Sequence, residues 1–99
     1  MIVIHFKVRA QPDKAAELKA ALAAVVAGAR ATEGVVSFDI VEDMTEPNTF
    51  IATEVFEDQA ARDRQESAAE VARVMELMPT ALAAPPQMTI YDASPAAAE

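Results

Sequence analysis

Residues 33–65 read EGVVSFDIVEDMTEPNTFIATEVFEDQAARDRQ. Two runs rich in β-branched and aromatic residues flank a cluster of turn formers, and a polar run follows. In VVSFDIVED, Val36, Phe38 and Ile40 alternate with Val35, Ser37, Asp39 and Val41, the period of a strand with one face on a core. MTEPN supplies the turn, with Pro47-Asn48 its strongest signal. TFIATEVFE alternates again: Phe50, Ala52, Glu54 and Phe56 share one face, and Ile51, Thr53 and Val55 the other. Two such strands joined by so short a connection form an antiparallel hairpin. Asp58 then stands where a helix N-cap is expected.

The flanking sequence extends this pattern on both sides. IVIHFKVR alternates, with Ile2, Ile4, Phe6 and Val8 on one face and Val3, His5, Lys7 and Arg9 on the other. A helix follows, with Pro12 and Asp13 suited to its first turn. Its apolar stripe is Ala15, Leu18, Leu22, Val25, Val26 and Ala29, and Gly34 is its stop. Gly28 inside it costs roughly 1 kcal/mol against Ala and suggests a close crossing on the sheet. After Asp58 a second helix carries Ala61, Ala68, Val71, Ala72, Met75 and Met78 as its buried stripe and ends at Pro79. QMTIYDA is the last strand. The order is β-α-β-β-α-β, which predicts an α+β, ferredoxin-like sandwich: a four-stranded antiparallel sheet with two helices on one face. Residues 1–93 form the single domain of this reading and 94–99 a flexible tail.

The 99 residues suit one domain, and 53% hydrophobic content suffices for one core. That core is rich in Ala and poor in aromatics, so it buries little area per residue and favours a homo-oligomer. The uncovered sheet face, with Val3, Val35, Val41, Ile51 and Val55, is the expected homodimer interface. A net charge of −8, with 16 acidic against 8 basic residues, argues against nucleic acid and against anionic membrane surfaces. The absence of Cys excludes disulfides and thiolate chemistry. No apolar run has transmembrane length and no signal peptide is evident, so the expected location is cytoplasmic.

The residues Gly34-Val35-Val36-Ser37-Phe38-Asp39-Ile40, the run from Thr49-Phe50, and above all Glu54-Val55-Phe56-Glu57-Asp58-Gln59-Ala60-Ala61 resemble the antibiotic biosynthesis monooxygenase (ABM) domain. FKVR in the first strand is similar too, and the resemblance covers about residues 2–92. It implies a dimeric α+β barrel built from ferredoxin-like protomers. It also implies a cofactor-independent monooxygenase that oxygenates a small aromatic or quinol-like molecule with O2 alone. Alternatives on the same fold are a non-catalytic dimeric small-molecule-binding module and a cofactor-free isomerase or cyclase. Where the family commonly has Trp this chain has Phe56, and where it often has His on the early second helix this chain has Gln65.

Cofactor-free oxygenation needs a base, hydrogen-bond donors and a dry cavity. One His cannot build a metal site and no ligand spacing is present, so no cofactor and no metal are expected. The candidate bases are His5, whose ordinary pKa is near neutral, and Glu54, a carboxylate on an otherwise apolar face. The plainer reading of His5 is a residue of the open sheet face, and that of Glu54 a structural acid. Phe38, Phe50 and Phe56 are candidates to line a ring-binding cavity or simply to form core. Gln65 and Tyr91 are candidates to bond a substrate oxygen. Beside Arg62, Asp63, Arg64 and Glu66, however, Gln65 reads more simply as exposed.

Overall fold

The structure, a computed structural model, describes residues 1–97. Its elements are β1 (Ile2–Arg9), α1 (Ala15–Arg30), β2 (Val35–Glu42), β3 (Thr49–Phe56), α2 (Gln59–Glu66), α3 (Ala69–Ala81) and β4 (Gln87–Asp92). The strands form one antiparallel sheet in the order β2-β3-β1-β4. This is the expected four-stranded α+β ferredoxin-like fold. Residues 94–97 belong to no helix or strand, and the rest of the expected tail, 98–99, lies outside the described residues.

The helical layer differs from expectation. The single second helix is two: Ser67 ends α2, its N–H bonding Asp63 O and its hydroxyl Arg64 O, and Ala68 is extended before α3 begins. The layer therefore has three helices rather than two. The offset at Ser67-Ala68 resets which residues face inward: Ala61, Gln65, Val74 and Ala81 are buried, whereas Ala72 and Met75 are exposed. Pro79 does not stop α3, which runs on to Ala81. A proline this close to the end removes only the bond to Met75 O. At the other end, α1 begins at Ala15 because residues 12–14 form a turn closed by Lys14 N–H to Gln11 O at 2.9 Å.

The core lies between the sheet and the helices. Leu18, Leu22, Val25 and Ala29 of α1 pack over Ile4, Val8, Phe38, Phe50 and Phe56. A β-bulge at Val35/Ser37 turns Val35 onto the core and leaves Val36 exposed, the reverse of simple alternation. An extra residue on one strand inverts the face of whatever precedes it. The open face therefore carries Val3, Val41, Ile51 and Val55, without Val35. The helices leave β4 uncovered: all six of its residues are exposed, including Met88 and Ile90 on the helix side. The hairpin turn is held by Asp43, which accepts from Thr45 N–H at 2.7 Å, Thr45 O–H at 2.8 Å and Glu46 N–H at 3.2 Å. These bonds hold its carboxyl below the usual carboxylate range. No helix among the described residues is long and apolar enough to cross a membrane.

Gly28 faces α3 rather than the sheet. A Cβ there would meet only the carboxyl end of Glu70, at 3.4 Å. That group is flexible and can give, so the helix-propensity gain dominates. Gly28→Ala is expected to raise stability by about 0.5–1 kcal/mol in urea unfolding.

Candidate functional site

Strand register sets out the floor of a cavity in rows across the sheet. One row is Phe38, Glu54 and Ile4, with Ile90 of β4 next to it but outside the lining, and the next is Ile40, Ala52, Phe6 and Met88. Ala52 is the small member of its row. It leaves room above the sheet where a larger side chain would reach the helices. The roof comes from Leu22 and Val25 of α1, Gln65 and Glu66 of α2, and Val71, Val74 and Met78 of α3. The volume of this half-open cavity is about 440 Å³, within the range of roughly 300–1,000 Å³ usual for small-molecule sites. Its mouth is at the uncovered β4 side, where Met75 and Met88 are 58% and 57% exposed. Beyond Met75, Met78 and Pro86 a shallower depression runs along residues 82–86, lined without any charged side chain.

Two polar groups stand out inside this apolar chamber. The first is Glu54. It is half-buried and flanked across the sheet by Phe38 and Ile4. Burial pushes its carboxyl up to about 7, and the negative charge of Glu66 adds to this. Arg62 acts in the opposite direction and more weakly. Its guanidinium is ion-paired to Glu66 at 2.8 Å, which limits what it gives Glu54. Such a carboxyl exchanges its proton near neutral pH, as a general acid or base requires.

The second is Gln65, only 2% exposed rather than solvated as its charged neighbours suggest. The break after Glu66 ends α2 one turn past Ala61, which places Ala61 and Gln65 together on the inner face. Thr32 Oγ1 lies 3.2 Å from Gln65 Oε1. Gln65 Nε2 is buried without any hydrogen-bond partner.

The structure brings Glu54, Gln65 and Phe38 together around one cavity. It does not bring the other candidates there. His5 pairs with Thr53 and Thr89 on the opposite sheet face and is exposed. Tyr91, opposite Val3, shares that face and is 52% exposed. Phe50 and Phe56 are buried core, outside the cavity lining. Sequence reasoning missed Leu22, Val25, Ile40, Ala52 and Glu66 as cavity residues. The alternation of β3 held a signal for Ala52, a small residue between Phe50 and Phe56 on the core face.

The fold is a ferredoxin-like α+β sandwich whose apolar chamber holds one near-neutral carboxyl. The family description "Antibiotic biosynthesis monooxygenase" matches residues 1–77. The chain belongs to this antibiotic biosynthesis monooxygenase family. Protein sll1783 of Synechocystis is 31% identical over 90 residues, covering 91% of this chain and 61% of that protein. Bacillus subtilis YcnE is 34% identical over 61 residues, 62% of this chain and 64% of that protein. The matches thus span less than two thirds of the length of these relatives. Rv0793 of Mycobacterium tuberculosis superposes with a TM-score of 0.86 at 20% identity, covering 98% of each chain, a likeness of fold.

Proposed function

We propose that the protein is a cofactor-independent monooxygenase that takes a small aromatic or quinol-like substrate into the chamber and oxygenates it with O2. The observation that carries this reading is Glu54, a carboxyl with its pKa pushed up to about 7 inside an apolar cavity. In this reading Glu54 removes the acidic proton of a bound phenol. The resulting anion passes an electron to O2, the two radicals combine to form a C–O bond as a peroxide, and O–O cleavage with loss of the ring C–H proton leaves the quinone and one water, the substrate supplying all the electrons. Phe38 and the aliphatic walls exclude water from the anion. The exposed Met75–Met88 mouth admits substrate and O2. His5 has no part in the chemistry of this reading.

The same proposal includes a homodimer formed through the open sheet face. Four β-branched residues, Val3, Val41, Ile51 and Val55, together with Tyr91, support it, since an apolar sheet face left uncovered calls for a partner. The test of function is oxygen uptake with a panel of dihydroxyaromatic compounds, comparing the parent with Glu54→Gln and His5→Ala. Protein-dependent uptake lost in Glu54→Gln and retained in His5→Ala supports the reading. No uptake above the autoxidation blank, with the ligand still bound, moves the protein to the binding-module reading.

A further inference from the structure

The chamber is larger than one ring needs. A cavity of about 150 Å³ is enough to hold benzene, whereas the chamber offers about 440 Å³. Nor does the apolar space end at the mouth. Met75, Met78 and Pro86 wall the chamber on one side and the depression along residues 82–86 on the other, so the two spaces share three side chains. The depression adds about 510 Å³, and every side chain that lines it is apolar. Its backbone is held in place. Leu82 is extended, with its carbonyl accepting from Gln11 Nε2 at 3.3 Å, Ala83 N–H donates to Arg9 O at 2.8 Å, and two prolines follow at 85 and 86.

We propose that the substrate is a hydroxylated ring carrying a flexible apolar tail, the ring seated in the chamber and the tail passing Met75, Met78 and Pro86 to lie along residues 82–86. This rests on the reading of the chamber as the substrate site and deepens it. The register sets the scale. Glu54 stands opposite Ile4 on β1, and Met88 on β4 stands opposite Phe6, two residues further along β1. With strands about 4.8 Å apart and about 3.4 Å per residue, Glu54 and Met88 are about 12 Å apart at their Cα atoms. A single ring held by its hydroxyl at Glu54 stops short of the mouth and leaves Met75 and Met88 in water. A fused-ring ligand accounts for the chamber but leaves the depression unexplained. A flexible chain follows the shared wall from one into the other, and the thioethers of Met75 and Met78 adapt to its shape. With no charged or hydrogen-bonding side chain along residues 82–86, a tail gains there by being apolar.

The test is ligand binding rather than turnover, so it is independent of the oxygen chemistry. The probes are para-alkylphenols with ethyl, butyl, hexyl and octyl tails, each kept below its aggregation limit. They are titrated into the intact protein by NMR, following the methyls of Val25 and Val74 in the chamber and of Leu82 and Ala84 in the depression. Every probe should move the chamber methyls, and only the longer tails the depression methyls. Affinity should rise by up to about fourfold per methylene, the value of burying one CH2, and the rise should continue to the octyl tail. A hydroxyanthracene, with as many carbons as octylphenol, should bind more weakly than it. Ala84→Asp puts a charge into the depression, outside the chamber lining. In this variant the preference for octyl over ethyl should fall by about tenfold or more. Ala83→Asp, at an exposed position, is the alternative should the first variant fold poorly. A preference that survives in both variants overturns the inference while leaving the chamber as a ligand site. So does a rise that stops at butyl, or tighter binding of the hydroxyanthracene. Depression methyls that shift with protein concentration alone overturn it too, since a second copy then covers residues 82–86. If no probe moves the Val25 and Val74 methyls, the ligand-site reading fails and the inference falls with it.

Discussion

Glu54→Gln is expected to lower the rate of substrate-dependent oxygen uptake by a factor of about 10²–10⁴, the usual contribution of a positioned general base. The amide keeps the shape of the side chain and its place between Phe38 and Ile4, so binding should change little and kcat should carry the loss. The parent's pH profile gives a second reading of the same residue. With its carboxyl pushed up to about 7, Glu54 is protonated and inert as a base at pH 5, and ionised and active at pH 8.5. The parent rate should climb through pH 7, and the residual rate of Glu54→Gln should show no such step. A full rate in the variant would remove Glu54 from the chemistry.

The same shift has an opposite consequence for stability. The ordinary value is 4.5 and the folded value about 7, so the folded chain holds its proton more tightly than the unfolded one. Below 4.5 both states are protonated and burial carries no charge penalty. As pH rises from 4.5 towards 7 the unfolded chain ionises first, and stability is progressively lost, reaching its full deficit above 7. That deficit is on the order of 3 kcal/mol, about 2.5 pKa units at about 1.4 kcal/mol each. Glu54→Gln should therefore match the parent in denaturant unfolding at pH 4 and exceed it at pH 8. A variant slower yet more stable is what a residue kept for chemistry predicts. A variant less stable at pH 8 would instead make Glu54 a structural acid.

Strand alternation made most of this architecture legible. Phe38, Phe50 and Phe56 fall on the core face because period-two patterning survives wherever one face is buried. It failed at Val35-Val36, because a bulge leaves no mark in a run of valines. The second helix failed for a related reason. No Gly or Pro marks the break, and only the Ser67-Ala68-Ala69-Glu70 spacing, that of a capping box, hints at a new start. Missing the break hid Gln65, since its charged neighbours outweigh one amide when the helix is read as continuous. Glu54 was legible as an anomaly on an apolar face, but the effect of Glu66 on it was not. That effect depends on α2 crossing over β3, a tertiary fact. The separation of His5 from Glu54 follows from alternation alone. The same alternation put His5 on the open face, where the structure has it, and Glu54 on the face the helices cover.

Gly34→Ala should be the most damaging small substitution in the chain. Gly34 closes the connection after α1 with φ +86°, a left-handed backbone that costs an L-residue about 1–2 kcal/mol. A Cβ built there would lie 2.5 Å from the Cβ of Ala61 and 2.9 Å from Nη2 of Arg64. The arginine can swing aside, although it now donates to Glu33 O at 3.0 and 3.1 Å. Ala61 cannot, because it is fully buried on the inner face of α2. The helix must therefore move, at a further cost of about 1–3 kcal/mol for overpacking. The total expected loss is about 2–5 kcal/mol in denaturant unfolding, enough to threaten a domain of this size. The functional effect follows from which helix moves. α2 carries Gln65 and Glu66 into the chamber, so displacing it loosens the contact with Thr32 and moves the charge that helps raise Glu54. The folded fraction of Gly34→Ala should show a lower midpoint for the rise in rate with pH than the parent. The partner substitution Ala61→Gly removes the clashing Cβ. In the double variant it should restore the pH midpoint, while the strain at residue 34 and the glycine in α2 keep stability low. A double variant whose midpoint stays shifted would show that the backbone at Gly34, rather than its contact with Ala61, sets the position of α2.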